Sequence, residues 1–342
     1  MPRRILVVRV DRVGDLVTAT PLLRALKTHI ADAHITTLVT PYAAPVLANS
    51  PFVDDVWTDD PDGADRGRDA FWRQVRRVRE GRFDTALVVM ARTRWVSMVR
   101  LGRVPHRIAS TWRPANTLWG FRSVPHHRTR DGRHESDYAL DLARAMGFQI
   151  PAGEFHPEVF VSDAETRAAR ATLGAAGITR PPVAVHPLSA GSAPNLPLGT
   201  YREIATQIAA RGHPVVVTGS ASEAPALAPI FEGVEGVANL SGRFNLRGLI
   251  ALLRECACFV GGSTGPMHLA AAAGTPVAAL FCHYPAVHPR RWGPLGVPSR
   301  VVTVPSGSCA RCDGRTKAPC ALPGLQAEPV VAAALELLPP AS

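Results

Sequence analysis

Phe259-Val260-Gly261-Gly262-Ser263-Thr264-Gly265-Pro266-Met267-His268, running on through Leu269-Ala270-Ala271-Ala272-Ala273-Gly274-Thr275-Pro276, reads as a strand that stops abruptly and a helix that starts at once. The apolar run ends at Val260 and two glycines follow; Ser263 or Thr264 can cap, Pro266 suits a first helical turn, and Gly274 suits the residue that closes a helix. Such a turn leaves the first helical amides without intrahelical partners, and together with the helix dipole they favour an anion. Read from these residues alone, the segment serves either as an anion site or as a tight connection without a ligand.

Similar short apolar runs recur along the chain: Ile5–Val10, His34–Val39, Thr85–Met90, Val183–His186, Val215–Thr218, Cys258–Val260 and Val277–Phe281. Strands buried on both faces read as uninterrupted apolar runs, and the helical stretches between them predict parallel sheets with right-handed crossovers, an α/β fold class. A chain of 342 residues is long enough for two domains. The rhythm restarts at Val183-Ala184-Val185-His186-Pro187, so the expected division is residues 1–165 and 166–342, two doubly wound sheets facing across a cleft. Ala164–Leu173 reads as helical, Thr200-Tyr201-Arg202-Glu203 predicts a capping box, and Gly212 predicts that helix's end. Arg92–Pro151, rich in Arg, His, Trp and Pro, predicts irregular segments around a binding surface.

A composition 46% hydrophobic and 19% charged excludes a disordered chain. The formal charge of +10 is nearly all arginine, since Lys27 and Lys317 are the only lysines, and it favours anionic partners. No helix-turn-helix, zinc-finger or aromatic RNA-binding signature accompanies it, so nucleic acid is not an expected partner. Arg9 and Asp11 interrupt the opening apolar run too early for a signal peptide, and no window is apolar for the roughly 18 residues of a membrane span, so a cytoplasmic location is expected. Cys309, Cys312 and Cys320 supply three thiols where structural zinc takes four ligands, with Cys282 or His283 as the remaining candidate. Asp60-Pro61-Asp62 has the spacing of a metal-binding Asp-x-Asp, but a Pro/Gly/Asp-rich context without a preceding strand predicts a solvated turn.

Ile5 to Asp15 repeats the strand-to-helix theme at the start of the chain. Gly14 stands alone where a dinucleotide fingerprint has three glycines, which argues against a nicotinamide or flavin cofactor. Asp15 lies just beyond the strand end, where a carboxylate can meet a substrate hydroxyl; alternatively Asp15 or Thr20 caps a helix, for which Thr20-Pro21 is a good start.

Several of these segments together resemble glycosyltransferase family 9, the heptosyltransferases of lipopolysaccharide core assembly. The resemblance is carried by Arg4–Lys27, Val183–Pro197, Gly219–Glu223, Asn239-Leu240-Ser241-Gly242 with Leu246–Leu253, Pro266–Gly274, Arg291-Trp292-Gly293-Pro294 and Glu328–Leu338. Asp60–Thr179 matches poorly. The resemblance implies a GT-B fold with an acceptor domain followed by a donor domain, the last helix (about 328–338) packing back toward the first. It further implies metal-independent inversion, moving a sugar from a nucleotide-diphosphate donor to an anionic glycolipid or polysaccharide such as lipopolysaccharide core. A monomer in peripheral contact with the inner membrane face is expected. Asp15 matches the family's general base; Gly14, Gly262, Ser263, Thr264, Gly265 and His268 match donor-binding positions, and Glu223 the nucleoside contact.

Two departures stand out. Many members carry Lys-x-Trp-Pro where this chain has Pro194-Asn195-Leu196-Pro197, and Asp-Ser-Gly or Asp-Thr-Gly where it has Ser263-Thr264-Gly265. Arg12, His186, Arg290 or Arg291 could supply the missing cation, since a guanidinium grips phosphate well. The alternative is a non-catalytic nucleotide-sugar-binding protein on the same fold.

Overall fold

In the computed structural model, which describes residues 4–110, 117, 119–126, 132–189, 191, 193–304 and 321–339, the chain divides into two compact units, residues 1–160 and 161–342. The first holds strands β1 (Arg4–Arg9), β2 (His34–Val39), β3 (Asp55–Thr58), β4 (Thr85–Val88), β5 (His106–Ser110) and β6 (Arg122–Val124), ordered β3-β2-β1-β4-β5-β6. The second holds β7 (Val183–His186), β8 (Val215–Val217), β9 (Val237–Asn239), β10 (Cys258–Gly262), β11 (Val277–Phe281) and β12 (Ser299–Thr303), ordered β12-β11-β10-β7-β8-β9. Neighbouring strands are parallel throughout. Each sheet thus starts in its middle, winds out one way and then the other. The order reverses between β1 and β4 in one unit and between β7 and β10 in the other, the two places where such sheets leave a crevice for ligands.

Burial explains which strands were readable. β1 and β2 bury five of six residues, and β4, β7, β8, β10 and β11 are buried throughout. The edge strands β3, β6, β9 and β12 have one flank unpaired and no fully buried residue, so their sequences lack a continuous apolar run. β5 begins at exposed His106 and includes Arg107, which hid it.

Two helix readings are corrected. The helix expected from Thr200 starts earlier, at Leu198, with Pro197 at the N-cap and no side-chain cap, because Leu198 packs on the core and draws the first turn upstream. It ends at Ala209, two residues short of the expected Arg211, and Gly212 just beyond has φ +84°, the left-handed conformation expected of it. The real capping box is Ser162 with Glu165, which opens the helix Asp163–Ala175. Arg92–Pro151, expected to be irregular, contains the helices Thr93–Leu101 and Glu135–Arg144 besides β5 and β6. The first is nine residues long with an arginine on either side of its apolar face, and the second opens on the buried polar pair Glu135-Ser136, which masks the apolar helical period.

The final helix, Ala327–Leu335, buries Val330, Val331, Ala333 and Ala334 in the second unit's own core with Leu196, Tyr201 and Leu280. Among the described residues no helix is long and apolar enough to cross a membrane. Asp60 sits in a self-contained turn: its Oδ2 accepts from the Ala64 amide at 3.1 Å and its own amide donates to Asp65 Oδ2 at 3.0 Å. Cys309, Cys312 and Cys320 lie outside the described residues; Cys282 is buried in the core and His283 Nε2 lies 2.9 Å from the Val304 carbonyl.

Candidate functional site

In the first unit the chain leaves β1 at Arg9 and enters the short helix Val13–Val17 directly. Arg9 is 1% exposed, a large charge to bury, and two carboxylates meet it. Its Nη2 donates to Asp15 Oδ1 at 2.8 Å and its Nε to the Asp15 carbonyl at 3.1 Å. The same Nη2 lies 3.5 Å from Oε1 of Glu135, the buried first residue of the helix Glu135–Arg144. Asp15 keeps a fifth of its side chain exposed. Burial pushes its carboxyl up to about 6; Arg9 and Arg12 oppose that rise, while Asp11 and Glu135 add to it. The result is a carboxylate that is ionised at neutral pH yet basic enough to take a proton from a hydroxyl.

Asp15 caps neither adjacent helix: the N-caps are Arg12 and Ala19, both without side-chain capping bonds. Thr20 instead ties its hydroxyl to the Val17 carbonyl at 2.8 Å and receives the Glu158 amide at 3.1 Å. Gly14 is buried, its carbonyl accepting from the Thr18 amide at 3.0 Å, and Arg12 is exposed beside it.

In the second unit β10 and β7 run side by side, with Gly261 paired to His186. A Cβ on Gly261 would stand 2.9 Å from the Phe259 ring and 3.1 Å from the His186 carbonyl oxygen, so only glycine fits. His186 is buried; its Nδ1 lies 2.9 Å from Thr218 Oγ1 and its ring stacks toward Phe259. Burial pushes this imidazole down to about 4, so at neutral pH it offers hydrogen bonds and no charge.

Beyond Gly262 the helix Gly265–Ala272 begins with Thr264 at its N-cap in extended conformation, φ −130° and ψ 172°. Thr264 is only 4% exposed, and its Oγ1 has no hydrogen-bond partner among the described residues. An N-cap threonine normally spends that oxygen on its own helix. Here the hydroxyl and the first-turn amides both remain available to an outside acceptor. Ser263 is half-buried on the same turn. Buried His268, one turn further on, meets the Trp292 ring edge-on at 5.9 Å, and Arg291 lies 4.8 Å over that indole. Arg290 is exposed on the same short helix, Pro289–Trp292. The structure therefore links Arg291 to the Thr264–His268 turn through one ring. Glu223, at the N-cap of the helix Ala224–Phe231, is near enough to His186 for its charge to oppose the downward shift of that imidazole, and its Oε2 accepts from the Ser220 amide at 2.8 Å and the Ser220 hydroxyl at 2.9 Å.

Sequence reasoning missed the support beneath this turn. Tyr201, fully buried, donates its hydroxyl to Asn195 Oδ1 at 2.6 Å and takes a hydrogen bond from the Gly262 backbone; Asn195 Nδ2 in turn holds the Pro187 carbonyl. Asn195 stands in the segment where a lysine was expected and buttresses the loop instead. A tyrosine on the core face of a helix is the one signal that pointed here, because a buried phenol has to find partners. Tyr201→Phe is expected to lower the unfolding free energy by about 1 kcal/mol and to weaken anion binding at the turn. An unchanged urea midpoint would remove Tyr201 from this network.

Residues 71–321 match the sequence model of glycosyltransferase family 9 (heptosyltransferase). Lipopolysaccharide heptosyltransferase 3 of Escherichia coli K12 is 24% identical over 290 residues, 82% of this chain and 82% of that one. Among solved structures, the family 9 glycosyltransferase of Veillonella parvula superposes with a TM-score of 0.85 at 20% identity, covering 98% of this chain and 97% of its own. The ADP-heptose lipopolysaccharide heptosyltransferase II of E. coli gives 0.76 at 21% identity, covering 98% of both. At such identities the two structures establish a shared fold.

Proposed function

The chain belongs to glycosyltransferase family 9, and from that premise we propose that it moves a heptose-like sugar from a nucleotide-diphosphate donor to a glycolipid of the lipopolysaccharide core type. The observation that carries the donor half is the buried Thr264 hydroxyl, without a partner among the described residues, at the opening of the helix Gly265–Ala272. A diphosphate oxygen is the partner such a hydroxyl and its neighbouring amides suit best. Gly262, Ser263, Gly265 and His268 shape that turn, Arg291 or Arg290 brings a guanidinium to its edge, and Glu223 takes the nucleoside. Gly14 and Arg12 frame the Asp15 side.

In the proposed reaction Asp15 accepts the proton of the acceptor hydroxyl as that oxygen attacks the anomeric carbon. The bond to the diphosphate breaks with inversion, and the leaving group keeps the electron pair. Its new charge falls where amides, the Thr264 hydroxyl and a guanidinium are already oriented, so the transfer needs no metal in this reading. A protein that only bound nucleotide sugars would have no use for a buried carboxylate of raised basicity, which favours catalysis.

Thr264→Val tests the donor site directly. The wild-type Oγ1 makes no hydrogen bond among the described residues, so the near-isosteric change should leave the urea midpoint unchanged or slightly higher. Affinity for the recognised member of ADP, GDP, UDP and dTDP should fall roughly ten- to a hundred-fold, the worth of a hydrogen bond to a charged group. Calorimetric titration that shows equal affinity for both proteins would refute the assignment.

A further inference from the structure

The helix Arg68–Glu80 buries Ala70, Gln74, Val75 and Val78, and turns Arg68, Trp72, Arg76 and Arg79 to solvent. The last four fall on one stripe of the helical period, and Trp72 in its middle is 49% exposed. Arg73 and Arg77 flank the stripe but are engaged: Arg73 reaches Asp65 at 3.9 Å and Arg77 lies 4.1 Å over the Trp57 ring. Asp69 and Glu80 are the only acids on this helix.

The helix Thr93–Leu101 packs alongside. A Cβ on Gly102 would stand 2.5 Å from Val78 Cγ1, so exposed Arg100, Leu101 and Arg103 adjoin the end that carries Arg79. Leu101 is itself 39% exposed. The face therefore combines a run of exposed guanidinium groups with an indole and an isobutyl group that the fold leaves in water.

We propose that this face docks on an anionic bilayer surface. Arginines in a row meet headgroup phosphates, while Trp72 suits the boundary between headgroups and acyl chains, where an amphipathic ring is best accommodated. Nucleic acid would answer the same charge, but it calls for several aromatic faces on which successive bases stack, and this face offers one. The proposal rests on the reading of the acceptor as a glycolipid, since such an acceptor lies in the bilayer that the helix would contact.

The test is flotation of the full-length protein with phosphatidylethanolamine vesicles containing phosphatidylglycerol, against neutral phosphatidylcholine vesicles. The wild type is expected to float with the anionic vesicles only, and less so as salt rises. The triple variant R68Q/R76Q/R79Q should partition roughly a hundred-fold less, and Trp72→Ala should lose the vesicle-induced blue shift of tryptophan fluorescence. These positions are exposed, and a nucleotide-induced thermal shift confirms that the variants are folded. Equal flotation of wild type and the triple variant, or of anionic and neutral vesicles, overturns the proposal. So does arginine-dependent binding to RNA or duplex DNA without flotation. Transfer to a water-soluble, deacylated acceptor separates the two readings: the triple variant should keep that activity, whereas its absence in the wild type despite flotation refutes the acceptor assignment and leaves the docking intact.

Discussion

Asp15→Asn is expected to lower turnover by roughly a hundred- to ten-thousand-fold, the range a general base contributes, while donor affinity measured calorimetrically stays as in the wild type. The amide retains an oxygen for the Arg9 Nη2 bond of 2.8 Å, so the loop's geometry survives and only proton acceptance is lost. The wild type adds a second signature. Because burial holds the Asp15 carboxyl near 6, its basic form disappears as the pH falls through that value. kcat/KM should therefore drop about tenfold per pH unit below it, with a plateau above. The Asn variant should lack this inflection. Turnover at the wild-type level, or an inflection that persists in the variant, would assign the base elsewhere.

Arg9→Met is expected to cost about 3 to 5 kcal/mol of stability at neutral pH, the penalty for breaking a buried ion pair by removing one partner. Asp15 and Glu135 would then lose the guanidinium that they share. The pH dependence follows from the direction of the shift. A carboxyl whose folded pKa lies above its unfolded one favours folding most when protonated, so stability is fullest at low pH and is lost as the pH rises through the folded value. In the wild type Arg9 limits this loss by pulling Asp15 down against the effect of burial. Without Arg9 the carboxyl rises further above about 6, and the variant's deficit in urea unfolding should be larger at pH 8 than at pH 5. The inflection of kcat/KM should move upward with it. An equal deficit at both pH values would show that Arg9 acts by packing alone.

The Arg9 prediction turns on Glu135, which no reading of the chain singled out. It lies 120 positions beyond Asp15 in a helix that opens on polar residues, and it joins the site only because the helix Glu135–Arg144 starts beside Arg9 at the end of β1. Asn195 and Tyr201 escaped for a related reason: one was weighed as the absence of a lysine and the other as part of a capping box, whereas the fold uses both to hold the Gly262 turn. His186 was a candidate cation until burial removed its charge.

The helix opening at Gly261–His268 was legible because its determinants are local. A buried strand needs an apolar run, a sharp exit beside another strand needs glycine, and a helix start favours proline in its first turn, all within a few residues. The same locality made the two-sheet α/β class, the central strands and the Gly14-Asp15 turn readable. Edge strands were not, since one unpaired flank relaxes the demand for apolar residues. The chemical state of the site was also beyond local reading. The basicity of Asp15, the neutrality of His186 and the idle hydroxyl of Thr264 depend on desolvation and on partners far along the chain, and only the packed fold sets these.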